Sequence, residues 1–281
     1  MSYEADPEIA KWISTTAFRR ALSLGIDRDQ LKETFWLGLG MSGAALPGES
    51  TLYSPGPEYR KLWATYDPKK VTEMLDAIGL DKKDAEGYRL RSDGKGRLRL
   101  EIMTFVGFFQ STQVCEMIRE QWKKIGIQAD PQEVERSLAW KRRDANEHQI
   151  YVDAQWGSDN MFGHIPAFFP YDGTNPSGLL YGKWFASGGI RGKEPPPRMR
   201  ELMEKYRQAF GVPFEERVKL AKEIWKITVD EVWTIGTVGL SPGIQGVRVA
   251  KTNMGNLPAR QWVSAVSDNP QISHPETFYF K

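Results

Sequence analysis

Apolar positions follow two different periods along this chain, and their alternation predicts its elements. From Ala17 to Gly43, AFRRALSLGIDRDQLKETFWLGLGMSG, two helical patterns meet at a specified joint. Gly25 ends the first helix. Asp27 caps the second, Gln30 completes a capping box, and Ile26 and Leu31 sit at the N′ and N4 positions of a hydrophobic staple. Asp67-Pro68 starts a further helix whose stripe is Val71, Leu75 and Ile78, closed by Gly79. The next runs from Ser111 or Thr112 to Gly126, with Val114, Met117, Ile118, Trp122 and Ile125 on one face. Ser137 to Asn146 is a helix, and Pro197 to Phe210 with Pro213 to Glu231 form a helical hairpin.

A two-residue period marks the strands. Tyr88 to Arg91 and Arg97 to Phe105 flank Ser92-Asp93-Gly94-Lys95-Gly96, a hairpin turned at Asp-Gly. Ile127 to Val134 and Gln149 to Trp156 are strands, and Trp233 to Leu240 and Ile244 to Ala250 flank Ser241-Pro242-Gly243. Helix alternating with strand predicts an α/β fold, a mixed sheet with flanking helices. Residues 38–59 and 161–197 follow neither period and read as long shaped loops, the second carrying Phe168, Phe169, Tyr171, Tyr181, Trp184 and Phe185. Residues 1–14 read as a lead-in.

With 281 residues, 40% of them hydrophobic, the chain can bury a substantial core. Its 38 basic and 36 acidic side chains are mixed along the sequence, which disfavours nucleic acid as a partner. Cys115 is the only cysteine, so an internal disulfide and a cysteine-based zinc site are excluded. No apolar run reaches the roughly 20 residues of a membrane span. Met1-Ser-Tyr-Glu lacks the features of a signal peptide, so the chain as given is expected to be soluble and to carry no address. Aromatic content changes the picture more: ten Trp, ten Tyr and thirteen Phe include rings in polar surroundings, which suit stacking on flat or sugar-like ligands.

Two letter-matches to catalytic or cofactor motifs lack their structural context. Gly38-Leu-Gly40-Met-Ser-Gly43 fits GxGxxG but follows a helix instead of opening one, so a dinucleotide is not expected. Gly239-Leu-Ser241-Pro-Gly243 fits a nucleophile elbow with Asp268 and His274 following, yet it feeds a second strand; a Ser241/His274 hydrolase stays as an alternative reading. His148, His164 and His274 have no ligating spacing, so neither metal nor cofactor is expected. The most suggestive place is the strand end Trp156-Gly-Ser-Asp159-Asn160, a ring, a glycine, a carboxylate and an amide where α/β folds gather ligands.

Taken in order, FRRALSLGIDRDQL, YDPKKVTEMLDAIGL, GYRLRSDGKGRLRLEI, VCEMIREQWKKIGI and QWGSDN, with the glycine-rich exit after the first, resemble the second half of the family 5 extracellular solute-binding proteins. These are the peptide, nickel and oligosaccharide receptors of ABC importers, and the likeness covers about Phe18 to Val249. The resemblance implies one lobe of a type II periplasmic-binding-protein fold, residues 15–232, with residues 233–281 crossing back to a first lobe. On that resemblance the first lobe and the signal peptide would be expected to lie outside the sequence as given. It further implies a monomer without catalytic activity that encloses its ligand in an inter-lobe cleft and delivers it to a membrane permease, outside the cytoplasm in the periplasm or on the membrane's outer face. Asp159 falls where peptide-binding members place the carboxylate that pairs with the peptide's α-ammonium, and Asn160 lies beside it. Trp156, Trp36 and Trp184 fit the stacking of sugar rings used by other members, leaving peptide and oligosaccharide both open. A stand-alone interaction domain docking through Phe168 to Phe185 is the remaining alternative.

Overall fold

A computed structural model describes residues 1–49, 51–107, 109–154, 161–162, 169–239, 250–258 and 274–281. The helices are α1 (Pro7–Ser14), α2 (Thr16–Leu24), α3 (Arg28–Trp36), α4 (Glu58–Lys61), α5 (Pro68–Ala77), α6 (Ser111–Lys123), α7 (Arg136–Asp144), α8 (Leu179–Ala186), α9 (Pro197–Gln208) and α10 (Phe214–Glu231). The strands are β1 (Met41–Ser42), β2 (Arg99–Phe105), β3 (Gln128–Val134), β4 (Ile150–Tyr151), β5 (Val238–Gly239), β6 (Met254–Gly255) and β7 (Tyr279–Phe280).

The central sheet has the order β3-β2-β4, and both pairings are parallel. Its helices come between the strands in sequence, as parallel pairing requires. Leu100 and Ile102 of β2 are buried with Val114, Cys115, Ile118 and Trp122 of α6, while Met103 and Phe105 of the same strand are buried in a separate cluster with Ala139 of α7. Burial pushes the Cys115 thiol up to about 12, so it behaves as a packed apolar group. The hairpin before β2 forms at the predicted turn, with the Arg91 N–H donating to Gly96 O at 2.8 Å. Fully buried Arg89 secures it, donating to Ile125 O at 2.9 Å and to Asp76 and Leu80 O.

The joint after α2 departs from its predicted form in two details. Asp27 accepts from the Gln30 N–H at 3.0 Å, as a cap should, but the Asp27 N–H donates to Gln121 of α6 and the Gln30 amide oxygen also accepts from Gln121. A neighbouring helix therefore supplies the second half of the capping box. Gly25 has φ −78°, an ordinary value, and a Cβ there would lie 2.8 Å from Ile125 Cδ1. The crowding there comes from the side chains of Ile125, just past α6, and Trp122 within it, and the chain does not turn left-handed.

Residues 1–14 hold α1, with Ile9, Trp12 and Ile13 buried in the same cluster as β2 and α6. Asp6-Pro7 caps this helix as Asp67-Pro68 caps α5. The stretch expected as an uninterrupted loop over 161–197 contains α8, and Phe169, Tyr181 and Phe185 are buried with α9 and α10 in a second apolar cluster. The 38–59 stretch is loop except for β1 and the start of α4.

A seam of guanidinium bonds joins the two clusters. Arg19 of α2, buried, donates to Glu231 O at 2.8 and 3.0 Å and to Val232 O at 3.2 Å, while Arg20 donates to Asp230 O at 2.8 Å. Both thus cap the carbonyl end of α10, where the helix dipole favours positive charge. Arg28 donates to Gly236 O, Ser23 O and Ala64 O at 2.8, 2.8 and 3.0 Å, and to the Ser23 hydroxyl at 2.7 Å. Burial lowers the Arg28 pKa only to about 10, so the group stays charged at neutral pH. These three arginines account for FRRALS and GIDR: each holds backbone from a distant segment.

Candidate ligand-binding site

Because β3, β2 and β4 are parallel, their carboxyl ends open on one side. β2 ends in Phe105 and runs into Val106, which is 72% exposed. β3 leads through Glu135 into α7, where Arg136 donates to Val106 O at 3.0 Å and sets its guanidinium over the Phe105 ring, 5.7 Å from the centroid. On the other flank the Val152 N–H donates to Met103 O at 3.1 Å, continuing β4 toward Asp153 and Ala154. Burial raises the Asp153 carboxyl pKa above its ordinary value, opposed by the Ala154 N–H and by the Arg143 and Arg136 charges.

Trp36 ends α3 at this side of the lobe. Leu37 takes φ 53° and turns the chain into the glycine-rich exit, leaving Leu37 84% exposed and Leu39 and Met41 exposed beyond it. The Trp36 indole is half-buried, 6.3 Å from Phe109 and 6.1 Å from Phe35. It therefore lies beside the chain leaving β2, near the strand ends. Trp184 belongs elsewhere: on α8 it packs against the second cluster, with the Arg200 guanidinium 5.6 Å from its ring. Trp36 and Trp184 are thus in different clusters, and Trp156, Asp159 and Asn160 lie outside the described residues. Sequence reasoning did not single out Arg136, Asp153 or Phe109. Arg136 and Phe109 lie two and four residues beyond predicted strand ends, which was the signal available, whereas Asp153 falls inside the predicted strand Gln149 to Trp156.

Other motifs resolve more simply. Gly38, Gly40 and Gly43 follow α3 and adjoin the two-residue β1, so no strand-to-helix turn for a pyrophosphate exists there. Ser241 and Asp268 lie outside the described residues, and His274, whose side chain is 74% exposed, bonds to Glu276. Phe169, Tyr181 and Phe185 are buried, which removes most of the apolar docking face that an interaction domain would need; Phe168 is outside the described residues.

His148 sits just before β4, buried, with Nε2 bonded to Pro176 O at 2.8 Å. Burial lowers its pKa from 6.5 to about 4. The unfolded chain takes up this proton below 6.5 and the folded chain does not, so the contribution is whole above 6.5 and is lost as pH falls toward 4. The loss is expected to be about 3 kcal/mol. Urea unfolding of the parent and His148→Gln at neutral pH and near pH 4 checks it. The parent should lose about that much more than the variant; equal losses would refute the assignment.

An α/β lobe with parallel strand ends opening onto an exposed rim has the architecture of a periplasmic-binding-protein domain. The chain belongs to the bacterial extracellular solute-binding proteins of family 5: that family's middle-region model matches residues 5–177. The family is one of extracellular solute-binding proteins, and one similar solved structure is a periplasmic oligopeptide-binding protein of an ABC transporter from Thermotoga maritima with mannohexaose bound. One similar structure is the oligopeptide-binding protein OppA, with 28% identity and TM-score 0.79 over 99% of this chain and 45% of that one. The oligopeptide-binding protein AppA of Bacillus subtilis, in complex with a nonapeptide, has 18% identity and TM-score 0.61 over 79% of this chain and 41% of that one. MelB of Agrobacterium fabrum, in complex with stachyose, has 16% identity and TM-score 0.62 over 84% and 36%. This chain therefore spans less than half the length of each. Comparison with curated proteins returned no match.

Proposed function

We propose that residues 15–232 are the second lobe of an ABC-importer solute-binding protein, which captures an oligopeptide or oligosaccharide against a first lobe and delivers it to a membrane permease. What carries this reading is the rim at the ends of β2, β3 and β4 in a chain of family 5. Residues 233–281 cross back to the first lobe, and the whole protein works as a monomer in the periplasm or on the outer membrane-associated face of the cell. Trp156, Asp159 and Asn160 contact the ligand, with Trp36 offering a ring beside the strand ends, whereas Trp184, in the other cluster, leaves the set. A single lobe covers one side of a ligand and leaves the other wet, so this chain alone binds weakly.

Calorimetry on the two-lobed protein tests the reading. Asp159→Ala is expected to weaken a peptide with a free α-ammonium by roughly 10-fold or more and to leave a neutral oligosaccharide within about twofold, because a carboxylate–ammonium pair in a cleft is lost. Equal losses would remove Asp159 from the site. If no peptide or oligosaccharide raised the thermal midpoint, the solute-binding reading itself would fall.

A further inference from the structure

We propose that His148 and the turn at residues 175–178 form an acid-opened latch: protonation of the imidazole releases that turn, with the first turn of α8, from the approach to β4 while the central sheet stays folded. The inference stands without the solute-binding reading. A buried histidine is ordinarily a packed core group, and three observations set this one apart. Its neutral ring donates from Nε2 to Pro176 O at 2.8 Å, and Nδ1 is buried without a hydrogen-bond partner among the described residues. The next carbonyl along the same turn, Ser177 O, accepts from the Met1 amine at 2.9 Å. Polar bonds hold the remaining contacts: Ser2 accepts from the Leu180 N–H at 3.1 Å, and Asn146 donates to Ser2 O at 2.8 Å. Residues 1–2 and 146–148 together therefore clasp the start of α8.

Protonation places a second N–H on the ring, at the buried Nδ1, where an unsatisfied charged donor is costly. Of the groups facing the imidazole, the carbonyls of Pro176 and Arg142 favour its charge, whereas burial, the Met1 amine and Arg143 oppose it. No carboxylate bonds to it among the described residues. Asp144 is on Arg143, Asp153 acts on Tyr151, and the Tyr151 ring meets the imidazole at 5.6 Å between centroids. The Met1 amine faces Arg19 and Lys193, both cations, and burial lowers its pKa to about 5. In acid, two groups bonded to adjacent carbonyls thus gain like charge, and opening the turn hydrates both. The second cluster keeps its other tether, since Arg19 and Arg20 hold the carbonyl end of α10. The opening is therefore local.

Native-state hydrogen exchange of the full 281-residue chain, read by NMR at pH 7 and pH 5 over a series of low urea concentrations, tests this. The reporters are the N–H groups of Leu180, on Ser2, and of Gly182, on Gly178 O at 3.0 Å. Their protection should fall by roughly 20-fold or more between the two pH values, the size expected when opening restores an ordinary histidine. It should also vary little with urea, because a local opening exposes little surface, whereas N–H groups of β2 and α6 should lose protection steeply. His148→Gln should shrink the pH-dependent fall by roughly 10-fold or more, the Met1 amine supplying the remainder. Leu180 and Gly182 tracking the β2 and α6 groups in urea would overturn the latch, since α8 would then open only with the whole fold. A fall of the same size in His148→Gln would overturn the role of the imidazole. If that variant does not fold, the parent decides: equal protection of Leu180 and Gly182 at the two pH values would overturn the proposal.

Discussion

Arg28→Met is expected to lower the free energy of unfolding by roughly 3–5 kcal/mol, because several buried carbonyls lose a charged donor together. The guanidinium of Arg28 reaches Ser23 O, Ala64 O and Gly236 O, which come from α2, from the loop before α5 and from the segment after α10. Methionine keeps much of the volume but offers no donor, and water has little access to a side chain this buried. Urea unfolding should show a lower midpoint at unchanged slope. Arg28→Lys should recover less than half of the loss, since one ammonium cannot span three carbonyls in a fork. A loss of only about 1 kcal/mol, the size of an exposed ion pair, would show that the site is wetter than its burial implies.

Gly182→Ala carries the second large effect, and its sign is the informative part. Within a helix, alanine ordinarily stabilises by about 1 kcal/mol relative to glycine. At position 182 a Cβ would lie 1.8 Å from Asp172 O and 2.5 Å from its carbonyl carbon, so the backbone of one segment must move. Thermal and urea unfolding should therefore show destabilisation of roughly 2–3 kcal/mol, as for overpacking. A neutral or stabilising result would mean that α8 can shift away from Asp172 without cost.

Gly182 also explains why α8 was hidden in the sequence. LLYGKWFA has apolar residues all round and a glycine at its centre, so it shows neither a stripe nor good helix propensity, and its helical state is set by packing on α9 and α10. Where periodicity was strong, as in α5, α6, β2 and β3, the elements form within a few residues of their predicted bounds. α1 was legible through Asp6-Pro7, but eight residues are too few for a pattern to stand out. The rim was legible in part: strand ends mark the place, and the aromatic surplus suggests what gathers there. Arg136 was not, because nothing in its local sequence separates it from Arg142 and Arg143, whose carboxylate partners only the folded chain reveals.

The seam formed by Arg19, Arg20 and Arg28 also bears on how the lobe can change over generations. Each apolar cluster packs by volume, and a substitution in one is felt by its own neighbours. Guanidinium-to-carbonyl bonds across the seam depend on backbone position and not on the identity of surrounding apolar side chains. Substitutions in the cluster of β2 and α6 and those in the cluster of α9 and α10 should therefore combine almost independently. Such a lobe can refit the side that carries the rim while the side that carries α8 to α10 stays as it is, so long as three arginines remain.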